Sequence, residues 1–249
     1  EIPLRLVGSE MCIRDSSMNP EKPRNRTPFT MDIFSDDDCM ELKDMETILK
    51  HEYHAKTLVD ILSKKVSVTY SKGCSVIDES TDGFKEAVET ARASDVVVMT
   101  LGGNCGWFDT TGGEGKDRST LELPGVQQQL LEEIKKVGKP IILVLYGPGC
   151  FSVGWAKQNV DAIIQAWLPG TRGAESLTKV LLGEINPGGK LPVSVPRSVG
   201  QVPVYYNHKV GSGFESDKGA VIFGKGYVNE KDTPLFPFGY GPVSYTHLR

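Results

Sequence analysis

A chain of 249 residues has room for one large domain or two small ones. Its apolar content of 39% and charged content of 24% are those of a soluble globular protein. A formal net charge of −4 argues against a general binder of nucleic acid or anionic membrane, and no apolar run approaches the roughly 20 residues that span a bilayer.

The two ends stand apart from the rest. EIPLRLVGSEMCIRDS, residues 1–16, and PVSYTHLR, residues 242–249, resemble translated sequencing-adapter read-through and are set outside the fold as artefact. Charged residues at Arg5, Glu10, Arg14 and Asp15 interrupt any signal-peptide core at the start. The expectation is a fragment. The compartment stays open: a soluble protein, secreted or periplasmic locations included.

Residues 17–44 are Pro-rich and then acidic, with little periodicity, and read as linker. The α/β domain is placed at 45–209. Its first helix is predicted over 45–64, where Ile48, Ala55, Leu58, Ile61 and Leu62 share a face. A strand follows at 66–70, alternating and β-branched. Asp82 looks like the cap of a helix carrying Phe84, Ala87, Val88 and Ala91 on one side. Next come an apolar strand at 96–101, a helix at 124–137 opened by Pro124 and closed by Gly138, and a fully apolar strand at 141–145. A short helix near 152–158, a strand at 162–167, a helix from 173 to 182 and an edge strand at 191–195 complete the series. Strands alternating with helices over short connections predict a mostly parallel, doubly wound sheet flanked by helices. Residues 210–241, rich in Gly, Pro and aromatics, read as an irregular C-terminal extension.

One connection breaks the pattern. LGGNCGWFDTTGGEGKDRSTLEL, 101–123, joins a strand to a helix where about 2–6 residues would suffice, and it holds six glycines with Trp107, Phe108, Glu114, Lys116, Asp117 and Arg118. Parallel sheets place their ligands outside the carboxyl ends of their strands, where this loop would sit. Glu114 between glycines is either a solvated loop acid or a group brought close to a neighbouring surface. Trp107 and Phe108 could stack on a sugar face or cover the sheet edge. Asp117 and Arg118 could pair with each other and shape the loop, or touch substrate. Gly102, Gly103 and Gly106 follow a strand but miss the G-x-G-x-x-G spacing, so no dinucleotide site is expected. Pro169 to Gly173 could bind an anion at a helix N-terminus; a tight turn with Thr171 as cap explains it more simply.

The five cysteines, Cys12, Cys39, Cys74, Cys105 and Cys150, are odd in number and too widely spaced for a C-x-x-C pattern or a disulfide framework. They read as reduced thiols. His51 and His54 are three apart on the first helix, with no carboxylate motif to complete a site, so no metal is expected.

Six segments in order, VVVMTLGG, GGEGKDRSTLELPGVQQQLLEEI, GKPIILVLYGPG, VDAIIQAWLPGTRGAES, LLGEINPGGKLPVSVPRSVGQVPVYYNHK and PLFPFGYG, resemble the C-terminal α/β sandwich domain of family 3 glycoside hydrolases over about 66–241. The resemblance implies a retaining, exo-acting β-glycosidase of β-glucosidase or β-xylosidase type, needing no cofactor and acting on β-linked oligosaccharides or glycosides. It also implies a preceding (β/α)8 barrel that supplies the nucleophilic aspartate, often with a fibronectin-like domain, and no nucleic-acid or membrane partner. The general acid/base then falls on Glu114. Many relatives carry a second glutamate two residues earlier, where this chain has Gly112. Substrate contacts would fall on Trp107, Phe108, Asp117 and Arg118. No segment resembles that of the nucleophile, so the chain alone is expected to be inactive. The alternative is a non-catalytic carbohydrate-binding or domain-interface module of the same fold.

A retaining glycosidase uses two carboxyl groups about 5–5.5 Å apart, one attacking the anomeric carbon and one shuttling a proton. The proton donor must be neutral near working pH, so its pKa has to rise from about 4.3 toward 6 or 7. Burial or a nearby carboxylate raises it, whereas Lys116 and Arg118 would oppose the rise if they faced it.

Overall fold

A computed structural model describes residues 4–8 (as backbone), 56–104, 111–112, 117–170, 172–207 and 227–242 of the chain. Its centre is a five-stranded parallel sheet. In chain order the elements are β1 (Leu4–Gly8), α1 (Leu58–Leu62), β2 (Val68–Ser71), α2 (Phe84–Arg92), β3 (Val96–Gly102), α3 (Gln127–Lys135), β4 (Ile141–Tyr146), α4 (Gly154–Asn159), β5 (Ala162–Trp167) and α5 (Gly173–Leu181). The strands lie in the order β2-β1-β3-β4-β5, and all four pairings are parallel. This is a doubly wound sheet whose order reverses between β1 and β3. The predicted fold class is the observed one.

The sheet sits between two helical layers because its central strands β3 and β4 are buried on both sides. β3 is buried from Val97 to Gly102, and β4 is buried at every residue but Ile142. Val97, Met99 and Leu101 with Ile141, Leu143 and Leu145 face α2, α3 and α4, where Ala87, Ala91, Leu130, Leu131, Ile134 and Ala156 close the core. The alternate residues Val98, Val144 and Tyr146 face α1 and α5 through Leu58, Leu62 and Leu177. Each fully buried Leu or Ile contributes roughly 1.5–3 kcal/mol through its removal from water.

Local signals account for the helix ends unevenly. Thr57 caps α1 in a reciprocal box: its Oγ1 accepts from the Asp60 N–H at 3.1 Å, and the Asp60 carboxylate accepts from the Thr57 N–H at 2.8 Å. Asp82 does not cap α2. The cap position is Gly83, without a side-chain bond, and a β-carbon there would lie 2.3 Å from the Gly73 carbonyl oxygen. Pro124 and Gly125 precede α3 as a turn, with Gly125 at φ 55°. Gly138 follows α3 at φ 79°, the left-handed conformation that ends helices. The part of the predicted 45–64 helix before 56 and the proposed cap Thr171 lie outside the described residues; Arg172 stands at the start of α5 with no side-chain cap.

Two departures concern strands. Leu4–Gly8 lies within residues 1–16, set outside the fold above, yet its backbone fills the slot between β2 and β3 and pairs with both. Without it those two strands would each present an open edge in the middle of the sheet. In the opposite sense, 191–195 is no edge strand: a single antiparallel bridge joins Val195 to Phe236. Pro192 and Pro196 bracket it and lack the donors a ladder needs.

Beyond α5 the chain is irregular apart from a 3-10 turn at Val199–Gln201. Residues 227–242 return against it. Buried Gln201 donates to the carbonyls of Lys231, Asp232 and Thr233 at 3.0–3.1 Å, and Arg197 donates to those of Thr233 and Pro234 at 2.7 and 3.3 Å. Lys157 on α4 reaches the Leu235 carbonyl at 2.6 Å and lies over the Phe236 ring at 4.5 Å. The C-terminal segment is therefore sewn to the domain through its backbone carbonyls.

Candidate active site

The long loop leaves the sheet at β3, a strand bordering the point where the order reverses. Its root is made of glycine. Gly102 stands at φ 134°, and a β-carbon there would fall 1.9 Å from the Tyr146 carbonyl oxygen at the end of β4. Gly103 donates to that same oxygen at 2.9 Å. Gly147 has φ 141°, and a β-carbon on it would lie 3.2 Å from the Gly103 nitrogen. Its own N–H donates to the Trp167 carbonyl at 3.0 Å, and Trp167 itself holds φ 55°. The ends of β3, β4 and β5 are thus joined backbone to backbone at the carboxyl edge of the sheet.

Further along, Asn104 and Thr111 meet. The Thr111 N–H donates to the Asn104 carbonyl at 2.8 Å, and the Asn104 N–H donates to Thr111 Oγ1 at 2.9 Å. Both residues are buried, so these bonds replace water and pin the chain on either side of 105–110. Trp107 and Phe108 lie in that interval, and Glu114 in 113–116; all three fall outside the described residues.

Asp117 and Arg118 are described, and they part company. Asp117 is exposed, and the two form no ion pair. Arg118 instead turns to the segment after β4. One guanidinium nitrogen donates to the Cys150 carbonyl at 3.0 Å, and the cation stands 4.5 Å from the centroid of the buried Phe151 ring. Its Nη1 is buried without an acceptor. Burial pushes the Arg118 guanidinium below its ordinary pKa, partly countered by Cys150 and Glu122. Gly112 lies alongside: a β-carbon there would be 3.8 Å from Arg118 Cδ. The far end of the loop is tied by Ser152, whose N–H donates to the Leu121 carbonyl at 2.7 Å. Burial raises the Cys150 thiol above its ordinary pKa, partly countered by a backbone hydrogen bond and by Arg118.

Sequence reasoning passes over Gln127, the first residue of α3. It is fully buried. Its Oε1 accepts from the Gly102 N–H at 2.7 Å, while Nε2 donates to the Gly102 and Val76 carbonyls, each at 2.8 Å. A signal is present: with Leu130, Leu131 and Ile134 it makes an i, i+3, i+4, i+7 stripe, a polar residue in an apolar position.

A concavity of about 340 Å³ is lined by Tyr205, Tyr206, Phe238, Pro203, Pro237 and Asp232. Tyr206 and Phe238 approach to 4.8 Å between ring centroids, and both are exposed. Among the described residues no group of three His, Cys, Asp or Glu could hold a metal ion, and no helix is long and apolar enough to cross a membrane.

Comparison with known proteins agrees over nearly the whole chain. The family model described as the glycosyl hydrolase family 3 C-terminal domain matches residues 24–245. A beta-xylosidase of Formosa agariphila is 41% identical over 200 residues, 78% of this chain and 26% of that protein. A periplasmic beta-glucosidase of Salmonella typhimurium is 40% identical over 162 residues, 65% of this chain and 20% of its own length. The chain therefore spans about a fifth to a quarter of these curated relatives. In fold it is similar to a crystal structure of a beta-glucosidase from Listeria innocua bound to isofagomine, with a TM-score of 0.74 at 24% identity over 97% of this chain and 30% of that one.

Proposed function

Since the chain belongs to glycoside hydrolase family 3 as a C-terminal domain, we propose that it is the acid/base half of a retaining, exo-acting β-glycosidase of β-glucosidase or β-xylosidase type. Glu114 is the general acid/base. The nucleophilic aspartate belongs to a (β/α)8 barrel encoded outside these 249 residues. The observation that carries the reading is the hydrogen-bonded, glycine-built root of the 103–126 loop at the carboxyl edge of the sheet, in a chain that matches the family model from 24 to 245. A proton donor needs a fixed position more than it needs intrinsic acidity.

The chemistry divides between the two halves. A carboxylate on the barrel attacks the anomeric carbon while Glu114 protonates the leaving oxygen. Glu114 then takes a proton from the water that hydrolyses the glycosyl-enzyme. Closing the barrel over the loop removes water and adds a carboxylate, and both raise the Glu114 pKa toward the working range. Arg118, held by Cys150 and Phe151, shapes the loop and stands as a substrate contact. Trp107, Phe108 and Asp117 stand as further substrate contacts. A beta-xylosidase and a periplasmic beta-glucosidase among the relatives support β-glycosides as substrates, and the second also supports a periplasmic or secreted location.

The test uses the full-length enzyme from the intact coding sequence. Glu114→Ala should lower kcat by about 10²–10⁴ for substrates with poor leaving groups. Azide should restore turnover of an activated aryl glycoside, because the anion attacks the glycosyl-enzyme without general-base help. Full activity in this variant would refute the assignment.

The aromatic concavity favours a second reading, a non-catalytic carbohydrate-binding or domain-interface module. Tyr205, Tyr206 and Phe238 offer exposed flat faces of the kind that stack on sugars. That reading requires the isolated chain to bind a β-linked oligosaccharide and to lose the binding in Tyr206→Ala. Calorimetric titration decides between the two.

A further inference from the structure

Gln127 has more to do than fill the core. The loop that carries Glu114 begins after Gly102 and ends at α3, and Gln127 is the first residue of that helix. One carboxamide therefore joins the two ends of the loop. It uses every strong group it has: Oε1 takes the Gly102 N–H, and the two hydrogens of Nε2 go to the Gly102 and Val76 carbonyls, all at 2.7–2.8 Å with no exposure to solvent. Thr111 Oγ1 grips Asn104 in the same manner two residues on, accepting from its N–H at 2.9 Å and donating to its carbonyl at 3.3 Å, but Gln127 alone of the two also reaches Val76.

The position gripped matters. Gly102 is turned to φ 134°, outside the region open to residues with a side chain, and its Cα faces the Tyr146 carbonyl too closely for any substituent. A glycine so placed is free to rotate unless something holds its two flanking peptides. The strand ladder holds one of them through the Gly103 N–H, which donates to the Tyr146 carbonyl at 2.9 Å, while Gln127 holds the Gly102 N–H and carbonyl. Val76, the third partner, lies on the segment between β2 and α2, so the same carboxamide anchors the root to the other side of the sheet's reversal point.

We propose that Gln127 is the positioning residue of the acid/base loop, setting through the Gly102 peptides the direction in which the chain leaves β3 on its way to Glu114. This rests on Glu114 as acid/base, and the two assignments fail separately in the experiment below. A methionine of similar length keeps the packing and removes the bonds, and Gln127→Glu keeps the length and one acceptor oxygen if the methionine variant does not fold.

The first measurement is hydrogen exchange on the chain itself. In Gln127→Met, the amides of Gly102, Gly103 and Thr111 should exchange about tenfold faster, the loss of roughly one hydrogen bond, while those of 143–145 change far less. Uniform acceleration across both sets would mean a merely structural role and overturn the proposal. The second measurement is steady-state kinetics of the full-length enzyme. Gln127→Met should lower kcat about tenfold or more with KM nearly unchanged, since substrate binding is intact and only the proton donor is misplaced. Azide should not restore it, in contrast to Glu114→Ala. An unchanged kcat in a variant whose loop amides have loosened refutes positioning and leaves Glu114 standing. A fully active Glu114→Ala refutes the acid/base assignment itself.

Discussion

Arg118 and Cys150 lie 32 residues apart in the chain, yet the guanidinium of the first donates to the carbonyl of the second at 3.0 Å. That bond, with the Phe151 ring beneath the cation, ties the connection after β3 to the connection after β4. Arg118→Met should destabilise the domain by about 1–3 kcal/mol, the range for a charge-assisted bond whose carbonyl is left partly buried. Arg118→Lys should recover only part of this, since a lysine lacks the planar fork that both bonds and stacks. Urea unfolding of the three proteins checks the order.

Two glycines with positive φ separate strain from collision. Gly138 has φ 79° and nothing within 4 Å of its missing β-carbon, so Gly138→Ala should cost about 1–2 kcal/mol from backbone strain alone. Gly102→Ala adds a contact of 1.9 Å with backbone that cannot move aside, and should cost more than about 3 kcal/mol or prevent folding. Equal midpoints of denaturation for the two variants would contradict the geometry.

Leu130 on α3 is fully buried in the core that also holds Ala91, Leu131 and Leu143. Leu130→Ala should cost about 2–5 kcal/mol by loss of transfer energy and creation of a cavity. Val199, at 45% exposure, should tolerate alanine within about 0.5 kcal/mol. Thermal or urea denaturation of the two variants side by side measures the contrast.

The thiols predict an alkaline limit. Burial pushes Cys74 up to about 11. An acid whose pKa is raised in the folded state stabilises fully below its unfolded value, about 8.5, and that contribution is lost as pH rises through the folded value. Stability should therefore fall between about pH 8.5 and 11, and Cys74→Ala should flatten the fall. Thermal melts across that window test it, and slow alkylation of the native protein at pH 8 tests the same burial independently.

What is legible in the sequence follows from which forces act locally. β3 and β4 stand out because a strand buried on both faces must be apolar throughout, and α3 because its stripe repeats with the helical period. The segment 191–195 misleads because β-branched residues mark extended backbone without saying whether a partner strand exists. Leu4–Gly8 is set apart by the character of its letters, a property on which backbone pairing does not depend. The Arg118 and Gln127 contacts join residues 25 to 51 positions apart, and no local pattern specifies such partners. The polar residue in the α3 stripe is the one hint. Glu114 itself is reached through resemblance, since a glutamate between glycines carries no chemistry in its spacing.

The bridge between Val195 and Phe236 has a consequence for how such a domain can diverge. The chain leaves that point and comes back to it, so everything between is an excursion with a common root. Doubling the length of such an excursion costs only about 0.6 kcal/mol in closure entropy. Residues beyond the Arg197 and Gln201 bonds are thus free to lengthen, shorten or change composition without disturbing the sheet. Variation there can be selected for what the excursion meets outside the domain, independently of what keeps the domain folded.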